Sequence, residues 1–241
     1  MAYNDGTGGT PTFLLTRPRA ASEAFALELA ARWPDARIVV APLMEIVPLD
    51  PPPGLAAAAG LIFTSANAVA QAEPGLGRPA WCVGARTAEA ARAAGFDARM
   101  AGETADELVD ALSGVRPDGL VVHLHGRHRR GHVAERLSAA GLRVEGAAVY
   151  DQRPVAPDSL LLDALAAEVL CVPLFSPRSA ELFAAAAGPV LGDGLREGIG
   201  FVALSEAVRD ALPATWRKAA VVAPRPDAEA VLERIARRFF P

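Results

Sequence analysis

The chain has 241 residues, 51% of them hydrophobic and 22% charged, a balance typical of a globular protein with one large domain or two small ones. Its net charge of −4 argues against general nucleic-acid binding, which needs a basic surface, although a small polyanion could bind where positive groups converge. Cys82 and Cys171 lie inside apolar runs, so we expect buried thiols. No stretch has the length of a membrane span, and residues 2–11 lack a signal-peptide pattern, so we expect a cytoplasmic protein with no membrane contact.

The first fifty residues predict a strand, a helix and a second strand. Residues 12–15 form a short apolar strand, and residues 16–18 turn into a helix whose apolar residues recur at four-residue spacing. Residues 37–41 form the next strand, which continues into a proline-containing, alternating ribbon of the kind found at sheet edges. The proline-rich loop 50–54 then marks a candidate domain boundary.

The middle of the chain alternates apolar runs of strand length with helical patterns. The predicted strands are residues 61–63, 80–83, 98–100, 120–124 and 143–150. Such alternation indicates a parallel sheet with helices on both faces. The last of these strands ends in a second ribbon, which again precedes a proline-rich loop.

A second series of strands, followed by a final amphipathic helix, completes the chain. Its predicted strands are residues 169–175, 200–204 and 219–223. If the two ribbons are crossing points, the chain forms two α/β domains, the first of them discontinuous. The predicted boundaries are residues 1–40 and 154–241 for the first domain, 48–147 for the second, and 41–47 and 148–153 for the connecting ribbons. Ligands of such sheets bind beyond the carboxyl ends of the strands, so we expect a cleft there between the domains.

Two strand-to-helix turns have the residues of an anion site. Thr64 and Ser65 follow an apolar strand and precede Asn67, and 111 residues later Ser176 corresponds to Ser65 and Arg178 to Asn67. Backbone N–H groups at a helix start lack intrahelical partners and lie at the positive end of the helix dipole, so they bind carboxylate or phosphate. Helix capping without a ligand explains these hydroxyl residues equally well. The repetition indicates two related halves.

All four histidines fall in one stretch, which raises the question of a metal site. They are His123, His125, His128 and His132. The chain is predicted to turn at Gly126 directly into a helix that carries Val133, which would place His128 and His132 one helical turn apart. Interleaved Arg127, Arg129 and Arg130 oppose a divalent cation, and no cysteine lies nearby, so we expect no metal. An anion-binding turn fits better, because Gly126 lets the backbone approach a carboxylate and Arg127 supplies a charge-assisted hydrogen bond. A solvated basic helix start is an equally good interpretation.

Short motifs that lie in order along the whole chain carry a family resemblance. They are Thr16-Arg17-Pro18, Pro42-Leu43 with Ile46 and Pro48, Phe63-Thr64-Ser65 with Asn67-Ala68-Val69, Val83-Gly84 with Thr87-Ala88, Val149-Tyr150, and Phe175-Ser176-Pro177. No single motif is specific, but the ordered set resembles the uroporphyrinogen-III synthase family. The resemblance implies two flavodoxin-like α/β domains, each a parallel sheet with helices on both faces, joined by a two-stranded ladder.

The resemblance implies a hydro-lyase that needs no cofactor and cyclises hydroxymethylbilane to uroporphyrinogen III. Loss of the terminal hydroxyl gives an azafulvene, the substituted α-carbon of the last pyrrole attacks it, and a spiro intermediate recloses with that ring inverted. Because the substrate closes unaided to the wrong isomer, the main task is to hold the octacarboxylate in one conformation. We expect a monomer whose ligand is this linear tetrapyrrole, with a transient contact to the upstream enzyme that forms it.

The resemblance also implies roles for particular residues. Tyr150 matches the family's tyrosine near the cleft and is the candidate to position or protonate the leaving hydroxyl, unless it only packs the ribbon. Thr87 matches a position at which the family contacts its substrate; the alternative is that it only caps a helix. In the corresponding turn of the second half, Ser205 replaces a residue that is often Gly in the family, and Val208 stands near a position that is often Thr. Ser205 is then the residue of this turn that can supply a hydroxyl contact. The predicted substrate-binding residues are Arg17, Thr64, Ser65, Asn67, Thr87, Gly126, Arg127, Ser176, Arg178 and Ser205.

Two other functions compete with this interpretation. A non-catalytic two-domain protein that binds an anionic tetrapyrrole or another small anionic metabolite would use the same turns, and only turnover separates it from the enzyme. A phospho-receiver module is disfavoured, because Thr16 and Arg17 stand after the first strand in place of an acidic cluster. A nucleotide-dependent enzyme is disfavoured as well, because the chain lacks the Gly-x-Gly-x-x-Gly and Gly-x4-Gly-Lys patterns.

Overall fold

The computed structural model describes residues 10–115, 117–128 and 131–240. Some residues named above lie outside the described residues. They are residues 2–9 and the two arginines that argue against a metal site, Arg129 and Arg130. The chain divides into two compact units, one formed by Met1–Glu45 with Pro154–Pro241 and the other by Ile46–Arg153.

The described residues contain eleven strands and nine α-helices. The strands are β1 (Thr12–Leu15), β2 (Arg37–Val40), β3 (Met44–Pro48), β4 (Gly60–Phe63), β5 (Pro79–Val83), β6 (Asp97–Gly102), β7 (Val121–Gly126), β8 (Val144–Pro154), β9 (Leu170–Leu174), β10 (Ile199–Ala203) and β11 (Ala220–Val222). The helices are α1 (Arg19–Arg32), α2 (Ala66–Val69), α3 (Ala85–Ala93), α4 (Ala105–Val115), α5 (Val133–Ala139), α6 (Ser159–Leu165), α7 (Pro177–Leu191), α8 (Glu206–Asp210) and α9 (Ala228–Phe239). Short 3-10 turns occupy Leu55–Ala57 and Arg217–Ala219.

The discontinuous unit contains a five-stranded parallel sheet in the order β11-β10-β9-β1-β2. Counted along the unit, this is the strand order 2-1-3-4-5 of flavodoxin. Successive residues of β1 face opposite sides, because side chains alternate along a strand. Phe13 and Leu15 pack with α1 and α9, whereas Leu14 packs with α6 and α7. Both faces of the sheet are therefore buried.

The second unit contains a six-stranded sheet in the order β3-β8-β7-β4-β5-β6. Strands β4 to β8 are parallel and follow the order 3-2-1-4-5 of dinucleotide-binding folds, while β3 adds an edge strand beside β8. Leu61 and Phe63 pack with α2 and α3, and Ile62 packs with α4 and α5. The predicted fold class, two α/β parts with parallel sheets and helices on both faces, is confirmed.

The strand order places a switch point in each sheet, where neighbouring strands send their connections to opposite sides. It lies between β1 and β9 in the first unit and between β4 and β7 in the second. Ligands of open α/β sheets bind outside the carboxyl ends of such strand pairs. The turns at these four strand ends are residues 16–18, 175–178, 64–67 and 126–128. Nine of the eleven residues predicted for the site lie in these turns or on the strand beside them.

Two features of the helices differ from the sequence interpretation. Helix α6 was not predicted from the proline-rich stretch after β8; Asp158 starts it by accepting a hydrogen bond from the Leu161 N–H at 3.0 Å. The predicted helix directly after Gly126 is wrong in its start, since α5 begins only at Val133. His132, the residue before this helix, has φ 44°, a left-handed conformation, and its side chain makes no capping hydrogen bond. His128 therefore precedes the helix rather than lying one helical turn before His132.

Both cysteines are free and buried, as predicted. Burial raises the pKa of Cys82 to about 11, and it also raises the pKa of Cys171 above its ordinary value. No helix of the part that the structure describes is long and apolar enough to span a membrane.

Gly198 tests the packing that holds β9 beside β10. It has φ +88°, and a Cβ there would overlap the carbonyl oxygen of Glu168. Gly192 of the same unit has φ +63° and open space around it, so Gly192→Ala should lower the free energy of unfolding by the backbone penalty alone, about 1 to 3 kcal/mol. We expect Gly198→Ala to lower it further, because the backbone at Glu168 must also move. Urea unfolding followed by circular dichroism measures both; equal losses would contradict the packing described here.

Candidate functional site

The site of the second unit is built around the ring of Tyr150. Along β7 and β8, His125 lies opposite Ala148 but Gly126 lies opposite Tyr150, so β8 carries one extra residue at this point. Such a bulge bends a strand and re-aims a side chain. A Cβ on Gly126 would lie 2.6 Å from Cε2 of Tyr150 and 2.9 Å from its hydroxyl oxygen. The missing side chain of Gly126 thus leaves room for the tyrosine ring.

The hydroxyl of Tyr150 reaches the turn after β4. It forms hydrogen bonds with the side chains of Ser65 and Asn67 and with the backbone of Gly126. Burial raises the pKa of Tyr150 above its usual value of 10.0, and these three hydrogen bonds offset only part of the rise. The phenol, 4% exposed, therefore keeps its proton at neutral pH. Four residues predicted from separate parts of the sequence are brought together here.

Ser65 also caps the short helix α2. Its Oγ accepts a hydrogen bond from the Asn67 N–H at 3.2 Å. The capping role considered from the sequence is therefore present, and Ser65 combines it with a contact to Tyr150.

Two of the four histidines support this turn from inside the sheet. Nε2 of His123 lies 3.2 Å from Oγ1 of Thr64, and Nδ1–H of His125 donates to the Gly126 carbonyl oxygen at 2.8 Å. Both histidines are buried in β7, with ring centroids 5.0 Å apart, whereas His128 and His132 are exposed. The four imidazoles do not converge, and among the described residues no group of three or more His, Cys, Asp or Glu side chains could hold a metal ion.

Arg127 lies at the carboxyl end of β7. Its backbone N–H donates to the carbonyl oxygen of Tyr150 at 2.9 Å, and its Nη1 lies 3.6 Å from Oδ2 of Asp151. Sequence reasoning did not select Asp151, a buried acid that is also paired with His128 and Arg153. The only signal in the sequence is that an acidic residue directly follows Tyr150 at the end of an apolar strand.

Thr87 lies one strand away from this centre. It is buried in the first turn of α3, which follows β5, and β5 neighbours β4 on the side away from β7. The N-cap of α3 is Gly84, with φ 76°, so the interpretation of Thr87 as the cap is wrong.

The corresponding edge of the first unit joins the turns after β1 and β9. The guanidinium carbon of Arg17 lies 4.1 Å from the ring centroid of Phe175, a cation–π contact between the two turns. Ser176 caps α7 by accepting from the Ser179 N–H at 3.1 Å, while the Ser179 hydroxyl accepts from the Ser176 N–H at 3.1 Å. The helix-capping role that the sequence offered for Ser176, as an alternative to a ligand contact, is therefore present as a reciprocal capping box.

The remaining two candidates of this unit lie at helix starts. Arg178 follows in the first turn of α7, half-buried, with a buried Nε that has no hydrogen-bond partner among the described residues. Ser205 is the N-cap of α8 but its side chain makes no capping hydrogen bond, so its hydroxyl is not committed to the helix.

A family model and several solved structures match the chain. The family described as uroporphyrinogen-III synthase HemD matches residues 27–233. A uroporphyrinogen-III synthetase from Helicobacter pylori has a similar structure, with a TM-score of 0.64 and 16% identity over 93% of this chain and 98% of that one. A mutant uroporphyrinogen III synthase from Thermus thermophilus gives a TM-score of 0.55 and 19% identity over 95% of this chain and 98% of that one. No curated protein sequence matches significantly.

The protonation of Tyr150 can be measured directly, because Tyr3 is the only other tyrosine. We expect the difference in tyrosinate absorbance between the native protein and Tyr150→Phe to titrate with a pKa above the usual value of about 10. Since the folded state holds this proton more tightly, the stability that the phenol contributes is complete below about pH 10 and is lost as the pH rises through the folded-state pKa. A difference titration at or below the usual value would show that the ring is not buried.

Gly126→Ala tests the close approach of the ring. The new Cβ must displace Tyr150, so we expect its hydroxyl to leave Ser65 and Asn67 and its pKa to fall towards the usual value as the ring gains solvent. Gly114→Ala in α4, where a Cβ meets open space, is the matched control and should leave the titration unchanged. An unchanged titration in both variants would contradict the described contact.

Proposed function

The chain belongs to the uroporphyrinogen-III synthase HemD family, and on that premise we propose that it cyclises hydroxymethylbilane to uroporphyrinogen III with loss of water and inversion of the last pyrrole ring. The observation that carries the proposal is the protonated phenol of Tyr150, held by Ser65 and Asn67 at the carboxyl edge of a parallel sheet. A neutral donor at such an edge is placed where α/β folds bind their ligands.

Tyr150 is proposed to act on the hydroxyl that leaves the bilane. Departure of this group is easier when a donor hydrogen-bonds the oxygen, since negative charge develops on it. A phenol with a raised pKa is a weak acid but a dependable donor, because it stays protonated throughout the neutral range. We therefore assign to Tyr150 the positioning of the leaving hydroxyl and a hydrogen bond to it.

The strand-end turns are proposed to bind the substrate's carboxylates. Arg17 and Arg178 in the first unit and Arg127 in the second can each bind a carboxylate through two parallel N–H groups. Serine and threonine hydroxyls add further donors beside them. The proposed contacts of this kind are Thr64, Ser65, Thr87, Ser176 and Ser205, with Asn67 and the backbone of Gly126.

Binding and catalysis are closely linked in this reaction. The bilane is flexible and closes without help to the type I isomer, so the rate and the isomer both depend on how the chain of four pyrroles is held. Converting this search into a fixed arrangement is an orientation effect, which lowers the activation barrier, by about 7 to 11 kcal/mol in the most favourable cases. The ratio of type III to type I product is therefore the most direct readout of the proposed function.

A coupled assay tests this proposal. Hydroxymethylbilane is generated in place, the protein is added, and the porphyrins are separated after oxidation. We expect mainly type III product, and a rate about 100-fold lower in Tyr150→Phe, the lower end of the range for a lost proton donor. The type III fraction should fall with it, because unassisted closure then competes.

Tyr3→Phe is the matched control, since it removes the chain's other phenol, and it should leave the rate unchanged. Full activity in Tyr150→Phe would keep the synthase but reduce Tyr150 to packing. Type I product alone from the native protein would overturn the synthase and favour a non-catalytic protein that binds an anionic tetrapyrrole.

A further inference from the structure

Asp151 is a buried carboxylate beside two arginine side chains and one histidine side chain. It follows Tyr150 directly in β8 and is 8% exposed. Its Oδ2 lies 3.6 Å from Nη1 of Arg127 and 3.8 Å from Nε of Arg153, and its Oδ1 lies 3.8 Å from Nε2 of His128. Burying a carboxylate is unfavourable unless positive charge compensates it, and these neighbours supply that charge.

The distances show that the pairing is electrostatic without close hydrogen bonds. Charge-assisted N–H···O bonds are about 2.7 to 2.9 Å long, shorter than all three contacts. Oδ1 of Asp151 has no hydrogen-bond partner among the described residues. Within residues 117–128 and 131–240, Asp151 thus attracts Arg127 and Arg153 without close hydrogen bonds to their N–H donors.

The basic side chains around Asp151 face solvent. The side chains of Arg127 and Arg153 are 61% and 56% exposed, and that of His128 is 48% exposed, while the carboxylate between them is covered. Both arginines contact the same carboxylate oxygen, so Asp151 offsets the repulsion between two like charges that face solvent together. A chain of net charge −4 therefore carries a local excess of positive charge here.

We propose that Asp151 is a positioning residue that holds Arg127 and Arg153 side by side as a carboxylate-binding patch, with His128 beside them. The inference rests on the proposed function, because the ligand class is the carboxylate side chains of the tetrapyrrole. Two guanidinium groups held in place can each bind a carboxylate with little further loss of side-chain freedom.

The patch is linked to the phenol through the backbone. Arg127 donates its N–H to the Tyr150 carbonyl oxygen, and Asp151 is the next residue of the same strand. The patch and the phenol are therefore carried by the same end of β8. Losing the patch should affect substrate binding more than the chemical step, so KM should rise while kcat changes little.

Asp151→Asn tests the inference with a side chain of nearly the same shape and no charge. The probe is uroporphyrin III, the oxidised octacarboxylate, whose fluorescence reports binding, at about 0.15 M salt, where charges are screened beyond about 8 Å. We expect the Kd to rise about tenfold although the variant is more positive. Asp110→Asn, which removes an exposed carboxylate in α4, is the control for net charge and should leave the Kd unchanged. Equal or tighter binding by Asp151→Asn would overturn the inference.

A double-mutant cycle shows whether Asp151 acts through Arg127. If it does, adding Asp151→Asn to Arg127→Gln should weaken uroporphyrin III binding only slightly further, by the loss that comes through Arg153. If the two residues have independent roles, the two changes in Kd should multiply. If Asp151→Asn does not fold, Arg153→Gln keeps the buried carboxylate and should raise the Kd on its own. An unchanged Kd in Arg153→Gln would then overturn the patch.

The outcomes distinguish this inference from the proposed function. If the native protein gives type III product while Asp151→Asn and Asp110→Asn have the same KM and the same Kd, the patch is rejected and the synthase is kept. Type I product alone, with uroporphyrin III binding that weakens in Asp151→Asn, would reject the synthase and keep the patch.

Discussion

The close approach of the Tyr150 ring to the backbone of Gly126 is the contact on which the second unit's site depends. Any side chain at position 126 would occupy the space of the ring, and the extra residue in β8 directs the ring towards that space. From there the hydroxyl reaches Ser65 and Asn67, and burial raises its pKa above the ordinary value. One glycine and one bulge thus turn a strand residue into a hydrogen-bond donor at the carboxyl edge of the sheet.

The two units share a local motif and differ in what surrounds it. Ser65 and Ser176 each cap the helix that follows a central strand, and Asn67 and Arg178 each occupy the second position of that helix. In the second unit the motif contacts a buried phenol, whereas in the first it lies beside a cation–π pair. The strand orders differ as well, so the resemblance of the halves is one of turns and layers rather than of complete topology.

Composition excluded a broadly basic surface, and the structure shows where positive side chains gather in this acidic chain. Positive groups gather at particular strand ends, such as the cluster around Asp151, instead of being spread over a face. The apolar layers on both sides of each sheet leave the strand ends as the place where polar side chains from distant parts of the chain meet. This arrangement agrees with the family to which the chain belongs.

The sequence by itself determined the alternation of strands and helices, the parallel sheets and the polar chemistry of the turns, because periodicity and helix capping act over a few neighbouring residues. It missed α6, which follows a proline-rich stretch that was interpreted as a loop, and it misplaced the start of α5, where His132 adopts a left-handed conformation. Only the tertiary structure decided the bulge beside Gly126 and the charges around Asp151. These depend on strand register and burial, which are set by partners far apart in the chain, and no local pattern records them.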